Sequence, residues 1–220
     1  TESNNMALIG GAMSRKRYGK HIIISGIEHP AVYRPAEFLT EQGFELSVLP
    51  VNSEGQVDLE LLKSTLRDDT VLVSVMYVNN EIGAIEPVEE ISRIIKAKNK
   101  DILFHVDAIQ AYTKLRINPK SQGIDMLSAS GHKFHGPKGV GFLYIDSNVK
   151  INPIIFGGGH QRGRPSSNPN SRTDGFLLEK LPVLFHYLSE KPGKERGALS
   201  IRPSGGNSSM LCFLTVCRRS

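Results

Sequence analysis

The chain has 220 residues, of which 39% are hydrophobic and 7% aromatic, and its net charge is +5. These values are typical of a soluble globular domain with a core, and no apolar run is long enough to cross a bilayer. Two cysteines are too few for a disulfide framework or a zinc site, and the N-terminus does not resemble a signal peptide. We therefore expect a cytoplasmic protein without a metal site.

The positive charge is concentrated near the C-terminus. Residues 1–160 contain 17 Lys and Arg against 18 Asp and Glu, whereas residues 161–220 contain 10 against 4. Because the basic residues are scattered and have no aromatic residues between them, they indicate neither nucleic-acid nor membrane binding. We predict a domain over residues 1–160, incomplete at its N-terminus because no Met begins it. A basic, partly irregular tail that is not a recognisable domain follows over residues 161–220.

Helices are predicted at four places between the N-terminus and residue 100. The first lies near Asn4–Tyr18, and the second covers Val32–Gln42 and ends at Gly43, which suits a C-cap. Asp58 is a good N-cap for the third helix, and Pro87 lies in the first turn of the fourth.

Short runs rich in Ile, Val and Leu alternate with these helices. Such runs are typical of parallel strands covered on both faces, and strand–helix alternation predicts an α/β fold. We expect a three-layer α/β/α sandwich with a mainly parallel sheet, which binds ligands beyond the carboxyl ends of its strands. The predicted strands are His21–Ser25, Phe44–Leu49, Val71–Met76, Ile102–Val106, Met126–Ala129 and Gly141–Ile145.

Polar clusters follow four of the predicted strands. Each has an ordinary explanation when taken alone, since a histidine or lysine in a loop is usually solvated and an Asp after a strand is usually a cap. Four clusters at strand ends of one sheet instead indicate a single site. The clusters are Glu28-His29, Asn79-Asn80-Glu81, Asp107-Ala108-Ile109-Gln110 and Ser130-Gly131-His132-Lys133.

Four segments of the chain closely resemble those of cysteine desulfurases. These enzymes and the selenocysteine lyases belong to the class-V aminotransferase group of fold-type I enzymes, which use pyridoxal 5'-phosphate (PLP). The resemblance covers about residues 1–163, in the same order and with similar spacing. The segments are Thr-Glu-Ser-Asn-Asn (1–5), Val-Asn-Asn-Glu-Ile-Gly (78–83), His-Val-Asp-Ala-Ile-Gln (105–110) and Ser-Gly-His-Lys-Phe-His-Gly-Pro-Lys-Gly (130–139).

The resemblance implies a PLP-binding large domain with a catalytic lysine and histidine. Lys133 matches the Schiff-base lysine, and its amine must be deprotonated to react, which desolvation or a neighbouring charge assists. Asp107 matches the carboxylate that keeps the pyridine nitrogen protonated, so that PLP can act as an electron sink. His29 matches the histidine that stacks on the ring, and a histidine there can move protons near neutral pH.

The remaining cofactor contacts are implied in the same way. Asn79 and Gln110 match positions on the phenolate side of PLP. Thr1, Ser130 and His132 match phosphate contacts, which suits hydroxyl donors and the positive start of a helix.

The implied reaction is the release of sulfur from L-cysteine to give L-alanine and an enzyme-bound persulfide. Family members pass this sulfur to an acceptor protein for iron–sulfur cluster or thio-cofactor synthesis, and they are homodimers. A selenocysteine lyase and a catalytically inactive PLP-binding remnant are alternatives. A nucleotide-binding α/β domain is disfavoured because no glycine-rich phosphate loop follows the first predicted strand.

The chain departs from the family pattern after about residue 163. Neither Cys212 nor Cys217 has the sequence surroundings of the family's nucleophilic cysteine, so neither is assigned that role. The family's Arg-Ser-Gly-Thr segment does not follow Gly157-Gly158-Gly159-His160. We hypothesise that the residues beyond about 163 are translated out of frame or come from a truncated gene, which leaves a fragment with an aberrant tail.

Overall fold

The computed structural model describes residues 1–136 and 140–155, and the backbone of 209–214. A seven-stranded sheet has the order β2-β1-β3-β4-β5-β6-β7, in which β1 to β5 are parallel and β6 and β7 are antiparallel to their neighbours. The strands are β1 (His21–Ser25), β2 (Glu45–Leu49), β3 (Thr70–Met76), β4 (Leu103–Asp107), β5 (Met126–Ser130), β6 (Val140–Ile145) and β7 (Ser209–Leu214).

Helices cover both faces of the sheet and complete the predicted three-layer α/β/α sandwich. The first helix is continuous but changes type, from α1 (Glu2–Asn5) through a π-helical segment (Met6–Gly10) to α2 (Gly11–Arg15). This N-terminal helix packs beside α3, and α4 packs beside α5. The other helices are α3 (Pro30–Glu41), α4 (Leu59–Thr65) and α5 (Val88–Lys98).

Two of the three predicted helix-end residues, Gly43 and Asp58, agree with the structure, whereas Pro87 does not. The N-terminal helix and α3 each begin two residues before their predicted starts. Gly43 has φ +84° and follows α3, as a left-handed glycine does at a helix end. The Asp58 side chain accepts hydrogen bonds from the amides of Glu60 and Leu61 at the start of α4. Pro87 is the N-cap of α5 and not part of its first turn, because its ψ of 67° is not helical.

Every predicted strand is present, with ends within one residue of the prediction. The sheet is mainly parallel, as predicted, and β6 is the first strand that runs antiparallel to its neighbour, β5. Within the region predicted to be a basic tail, the backbone of Ser209–Leu214 forms β7 and pairs with β6. Residues 161–208 lie outside the described residues, so the predicted boundary at residue 160 stays a prediction.

The core of the sheet contains a histidine that is satisfied by its neighbours. His105 in β4 is fully buried, and its two ring nitrogens lie 2.8 Å from Ser74 Oγ in β3 and 2.9 Å from Ser128 Oγ in β5. Burial lowers the pKa of His105 to about 3. The ring is therefore neutral and ties three strands together, so we treat it as structural.

The parallel strands direct their carboxyl ends to one edge of the sheet. The chain runs from β1 outward to β2 and then returns to the other side of β1 as β3. Such a reversal leaves a crevice beyond the ends of β1 and β3, where open α/β sheets bind ligands.

In the described part of the chain, no helix is both long and apolar enough to span a membrane.

Candidate active site

A cavity of about 230 Å³ lies at this carboxyl edge of the sheet. All four predicted polar clusters contribute to its wall, and so does the start of the N-terminal helix. Seven of the eight predicted site residues line it. The lining residues are Thr1, His29, Ala31, Met76, Val78, Asn80, Asp107, Ile109, Gln110, Ser130, His132 and Lys133.

Lys133 is carried on a short 3₁₀ turn, Gly131–Phe134, that begins where β5 ends. His135 follows it with φ +64°, and the Gly136 amide donates back to the Gly131 carbonyl at 2.8 Å. A side chain at position 136 would bring its Cβ to 2.9 Å from that same carbonyl oxygen, so the closed turn requires glycine. The lysine side chain is exposed to the cavity, and the described residues do not bury it.

Three aromatic rings hold the turn against the sheet. The ring centroid of Phe134, the residue next to Lys133, lies 5.1 Å from that of Tyr112. Tyr112 meets Phe142 of β6 edge to face at 4.8 Å. Because Tyr112 lies two residues after Gln110, this cluster also links the loop beyond β4 to the lysine turn.

Asp107 ends β4 and is 2% exposed, although it lines the cavity. Its Oδ1 accepts from the Ile109 amide at 3.0 Å, and its Oδ2 accepts from Asn4 Nδ2 at 2.8 Å. Burial raises the pKa of Asp107, whereas these two donors lower it. Among the described residues no Lys, Arg or His forms an ion pair with Asp107.

His29 is the N-cap of α3. Its Nδ1 accepts a hydrogen bond from the Ala31 amide at 3.0 Å, and Pro30 occupies the first helical position. A ring nitrogen that accepts carries no proton, so a neutral ring in this arrangement has its hydrogen on Nε2. The cap bond therefore sets both the orientation of the imidazole and its tautomer.

Glu28 lies beneath the site and was given no role by the sequence patterns. Its Oε1 accepts from Ser25 Oγ and from the Met76 amide, each at 2.6 Å, while Oε2 is buried without a hydrogen-bond partner. Burial raises the pKa of Glu28 well above its ordinary value, and the charge of Asp107 raises it further. Glu28 therefore favours its protonated form, whereas Asp107 has a hydrogen-bond donor on each of its carboxylate oxygens.

Asn79 is the one predicted site residue that does not line the cavity. Its Nδ2 donates to the Ile27 carbonyl at 3.0 Å, and its Oδ1 accepts from the amides of Glu81 and Ile82. The side chain thus holds its own loop against the loop after β1. The neighbouring residue Asn80 lines the cavity instead.

The three residues expected at the phosphate lie at the same cavity. Ser130 Oγ is 3.0 Å from His132 Nδ1, so these two side chains form a polar pair. Thr1 is the N-cap of the N-terminal helix, and its side chain makes no capping hydrogen bond. The start of this helix therefore presents backbone N–H groups that suit an anion.

A motif match alone could not assign several residues in and behind the cavity wall. Asn4 belongs to the Thr-Glu-Ser-Asn-Asn segment, but its bond to Asp107 joins residues 103 positions apart. Met76, Val78 and Ile109 flank the polar clusters and supply an apolar wall. Among the described residues, no three His, Cys, Asp or Glu side chains are grouped so that they could hold a metal ion.

Comparison with known proteins places this arrangement in a family. The sequence model of the class-V aminotransferases matches residues 1–173. The cysteine desulfurase IscS of Dictyoglomus turgidum is 51% identical over 170 residues, which cover 77% of this chain and 43% of that protein. The chain thus spans about half the length of the curated relatives it matches.

Two solved structures resemble this chain in both fold and sequence. A NifS-like protein superposes with a TM-score of 0.70 and 42% identity, covering 86% of this chain and 52% of that one. SspA in complex with cysteine superposes with a TM-score of 0.67 and 40% identity, covering 77% and 50%. With four family segments assembled around one cavity and a family match over most of its length, the chain belongs to the class-V aminotransferases.

Proposed function

We propose that this chain is the cofactor-binding core of a PLP-dependent cysteine desulfurase. The observation that carries the proposal is that Lys133 and Asp107 line one cavity. Asp107 is a buried carboxylate held by two neutral donors, with no ion pair among the described residues. A buried charge without a counterion is unfavourable, and the protonated ring nitrogen of PLP is a cation that would compensate it.

The lining residues fit the rest of the cofactor. Lys133 would hold PLP through its amine, and His29 would stack on the ring in the orientation that the Ala31 bond sets. Ser130, His132 and the helix start at Thr1 would hold the phosphate. When bound, PLP supplies an electron sink for bond breaking at an amino-acid substrate.

The phenolate side of PLP has two amide candidates. Gln110 lines the cavity, and its Oε1 accepts from Lys114 Nζ at 3.3 Å, which leaves its NH₂ group to donate. Asn80 also lines the cavity, whereas the Asn79 side chain is occupied by its own loop. We therefore propose that Gln110 contacts the phenolate directly and that Asn79 supports it through the loop.

The proposed substrate of the whole protein is L-cysteine. Relatives named as cysteine desulfurases and the cysteine complex of SspA support this choice. The carbon–sulfur bond of cysteine breaks, its sulfur passes to an enzyme thiol as a persulfide, and the carbon skeleton leaves as L-alanine. No external oxidant or reductant is consumed. The persulfide would supply an acceptor protein for iron–sulfur cluster synthesis in the cytoplasm, and the working form would be a homodimer.

Selenocysteine lyase activity and an inactive PLP-binding remnant are the alternatives. The remnant is favoured by one specific observation, because neither cysteine has the surroundings of a family nucleophile. Cys212 lies in the backbone of β7, and Cys217 lies outside the described residues. We expect this chain to bind PLP but not to turn over cysteine.

Absorbance tests the cofactor assignment. The purified chain mixed with PLP should develop a visible absorption band, which Lys133→Ala and Lys133→Arg should both abolish because neither side chain offers a reactive amine. Lys98→Ala is the matched control, since Lys98 pairs with Asp68 on the surface and should leave the band intact. A band that survives in both Lys133 variants would overturn the assignment.

Product analysis then separates the alternatives. Alanine formed from L-cysteine in the presence of a thiol would identify a working desulfurase, and a strong preference for selenocysteine would identify a lyase for that substrate. A PLP band without alanine from either amino acid would identify the remnant.

A further inference from the structure

We propose that Asn4 is a positioning residue that keeps Asp107 ionised and aims its carboxylate at the cavity. Asn4 is fully buried in the N-terminal helix, and its Nδ2 donates to Asp107 Oδ2 at 2.8 Å. The inference rests on the proposed function, since it assigns Asp107 as the partner of a cationic ring nitrogen.

The Asn4 amide is only half satisfied. Its Oδ1 is buried and has no hydrogen-bond partner. A buried acceptor without a donor destabilises a fold by about as much as one hydrogen bond stabilises it. Stability therefore does not account for an amide at this position. What the amide does supply is one neutral donor to one carboxylate oxygen.

Neutrality of the donor matters for the chemistry. A Lys or Arg at this position would also hold Asp107, but it would cancel the negative charge. Asn4 and the Ile109 amide stabilise the ionised carboxylate and leave its net charge in place. That charge is then available to attract a cation at the cavity wall.

Comparison with Glu28 shows what the second donor does. Both carboxyls are buried, and both accept from a backbone amide. Glu28 uses Oε1 alone for its two hydrogen bonds and leaves Oε2 unpaired, whereas Asp107 has a donor on each oxygen. A carboxylate needs donors on both oxygens more than a neutral carboxyl does, so these surroundings assign the proton to Glu28 and the charge to Asp107.

The test follows the ionisation of Asp107 in the full chain without PLP. Carbon-13 label in the aspartate carboxyls gives a resonance for Asp107, which Asp107→Asn identifies by its disappearance. In Asn4→Leu the donor is lost, and the titration midpoint of Asp107 should move to higher pH. In the isosteric Asn4→Asp a second carboxyl faces Asp107, and the two carboxyls should titrate as a coupled pair whose upper midpoint lies above the midpoint of Asp107 in the unmodified chain.

Gln122→Leu is the matched control. Gln122 is another buried amide, and its Nε2 donates to Tyr77 Oη at 3.1 Å outside the cavity. Its loss should lower the stability of the fold and leave the Asp107 midpoint unchanged. An unmoved midpoint in both Asn4 variants, or an equal movement in Gln122→Leu, would overturn the role of Asn4.

PLP binding provides a second readout. Asn4→Leu should weaken PLP binding about tenfold, the effect of one hydrogen bond to a charged group. If the unmodified chain binds no PLP, the proposed function fails, and the carboxyl titration still decides the role of Asn4.

Discussion

The imidazole of His29 combines a structural bond with its place in the cavity wall. Its Nδ1 caps α3 through the Ala31 amide, so adding a proton to Nδ1 would remove the cap. The bond also stops the ring from turning about its χ angles. A proton that a neutral His29 carries on Nε2 is therefore presented in a fixed direction, and the ring plane is held as the proposed stacking on the cofactor would require.

Two substitutions separate the cap from the cofactor contact. His29→Ala removes the cap and should lower the free energy of unfolding by about 1 kcal/mol, whereas His29→Asn retains a capping side chain and should lower it by much less. Both should weaken PLP binding, because both remove the ring. Urea unfolding and PLP titration measure the two effects, and equal losses of stability in the two variants would contradict the capping role.

Residue types could be predicted from the sequence more readily than side-chain directions. Seven of the eight predicted site residues line the cavity, six because they follow strand ends at one edge of the sheet and Thr1 because the N-terminal helix begins there. Asn79 and Asn80 could not be told apart, since their directions depend on how the loop folds back. That loop closes through a bridge between Val78 and Ile85 and through Gly83, which has φ +72°.

At the scale of elements, Glu86 holds two loops together beside the site. Its carboxylate Oε2 accepts from the Val57 amide at 3.0 Å, and its own amide donates to the Tyr77 carbonyl. The side chain is 2% exposed, and its Oε1 has no hydrogen-bond partner. Burial raises the pKa of Glu86 from 4.5 to about 7, although the Val57 bond opposes this.

This raised pKa predicts a pH-dependent stability. The folded chain keeps the Glu86 proton up to about pH 7, whereas the unfolded chain releases it near pH 4.5. The contribution is therefore fully present below pH 4.5 and is lost as the pH rises to 7, by up to about 3 kcal/mol. Glu86→Gln carries no titrating proton, so its stability should exceed that of the unmodified chain by an increasing margin over this range.

Urea unfolding at several pH values measures the difference. Burial also raises the pKa of Asp107 and Asp125, but the charge of Glu86 is not among the causes, so these two groups cancel in the comparison. The charge of Glu86 adds to the raised pKa of Glu28, and its loss in Glu86→Gln relieves this repulsion and stabilises the variant in the same direction. A difference between Glu86→Gln and the unmodified chain that does not change between pH 4.5 and 7 would contradict the assignment. The loop beside the cavity would then be held by something other than this carboxyl.

At the scale of the whole molecule, the pattern of apolar runs predicted the layers but not the order of the strands. Parallel strands buried on both faces have a recognisable composition, as β3 does with seven buried residues in succession. Strand order depends on which helix crosses which face, and no local pattern encodes that. The pairing of β7 is a further case. It joins Val140–Ile145 to a segment more than 60 residues later, in the region predicted to be a partly irregular tail.

The pairing of β6 with β7 can be tested through the amides of β6. A strand between two antiparallel neighbours directs alternate N–H groups to each of them. In a chain that ends at residue 208, the β6 amides that face β7 lose their acceptors, whereas those that face β5 keep theirs. Hydrogen exchange should therefore become faster at alternate residues of Val140–Ile145 and remain slow at the residues between them.

The amides of β4, which lies between β3 and β5, serve as the internal reference. Unchanged exchange throughout β6 would show that Ser209–Leu214 does not hold this edge, and uniformly faster exchange in β4 as well would indicate a general loss of stability instead.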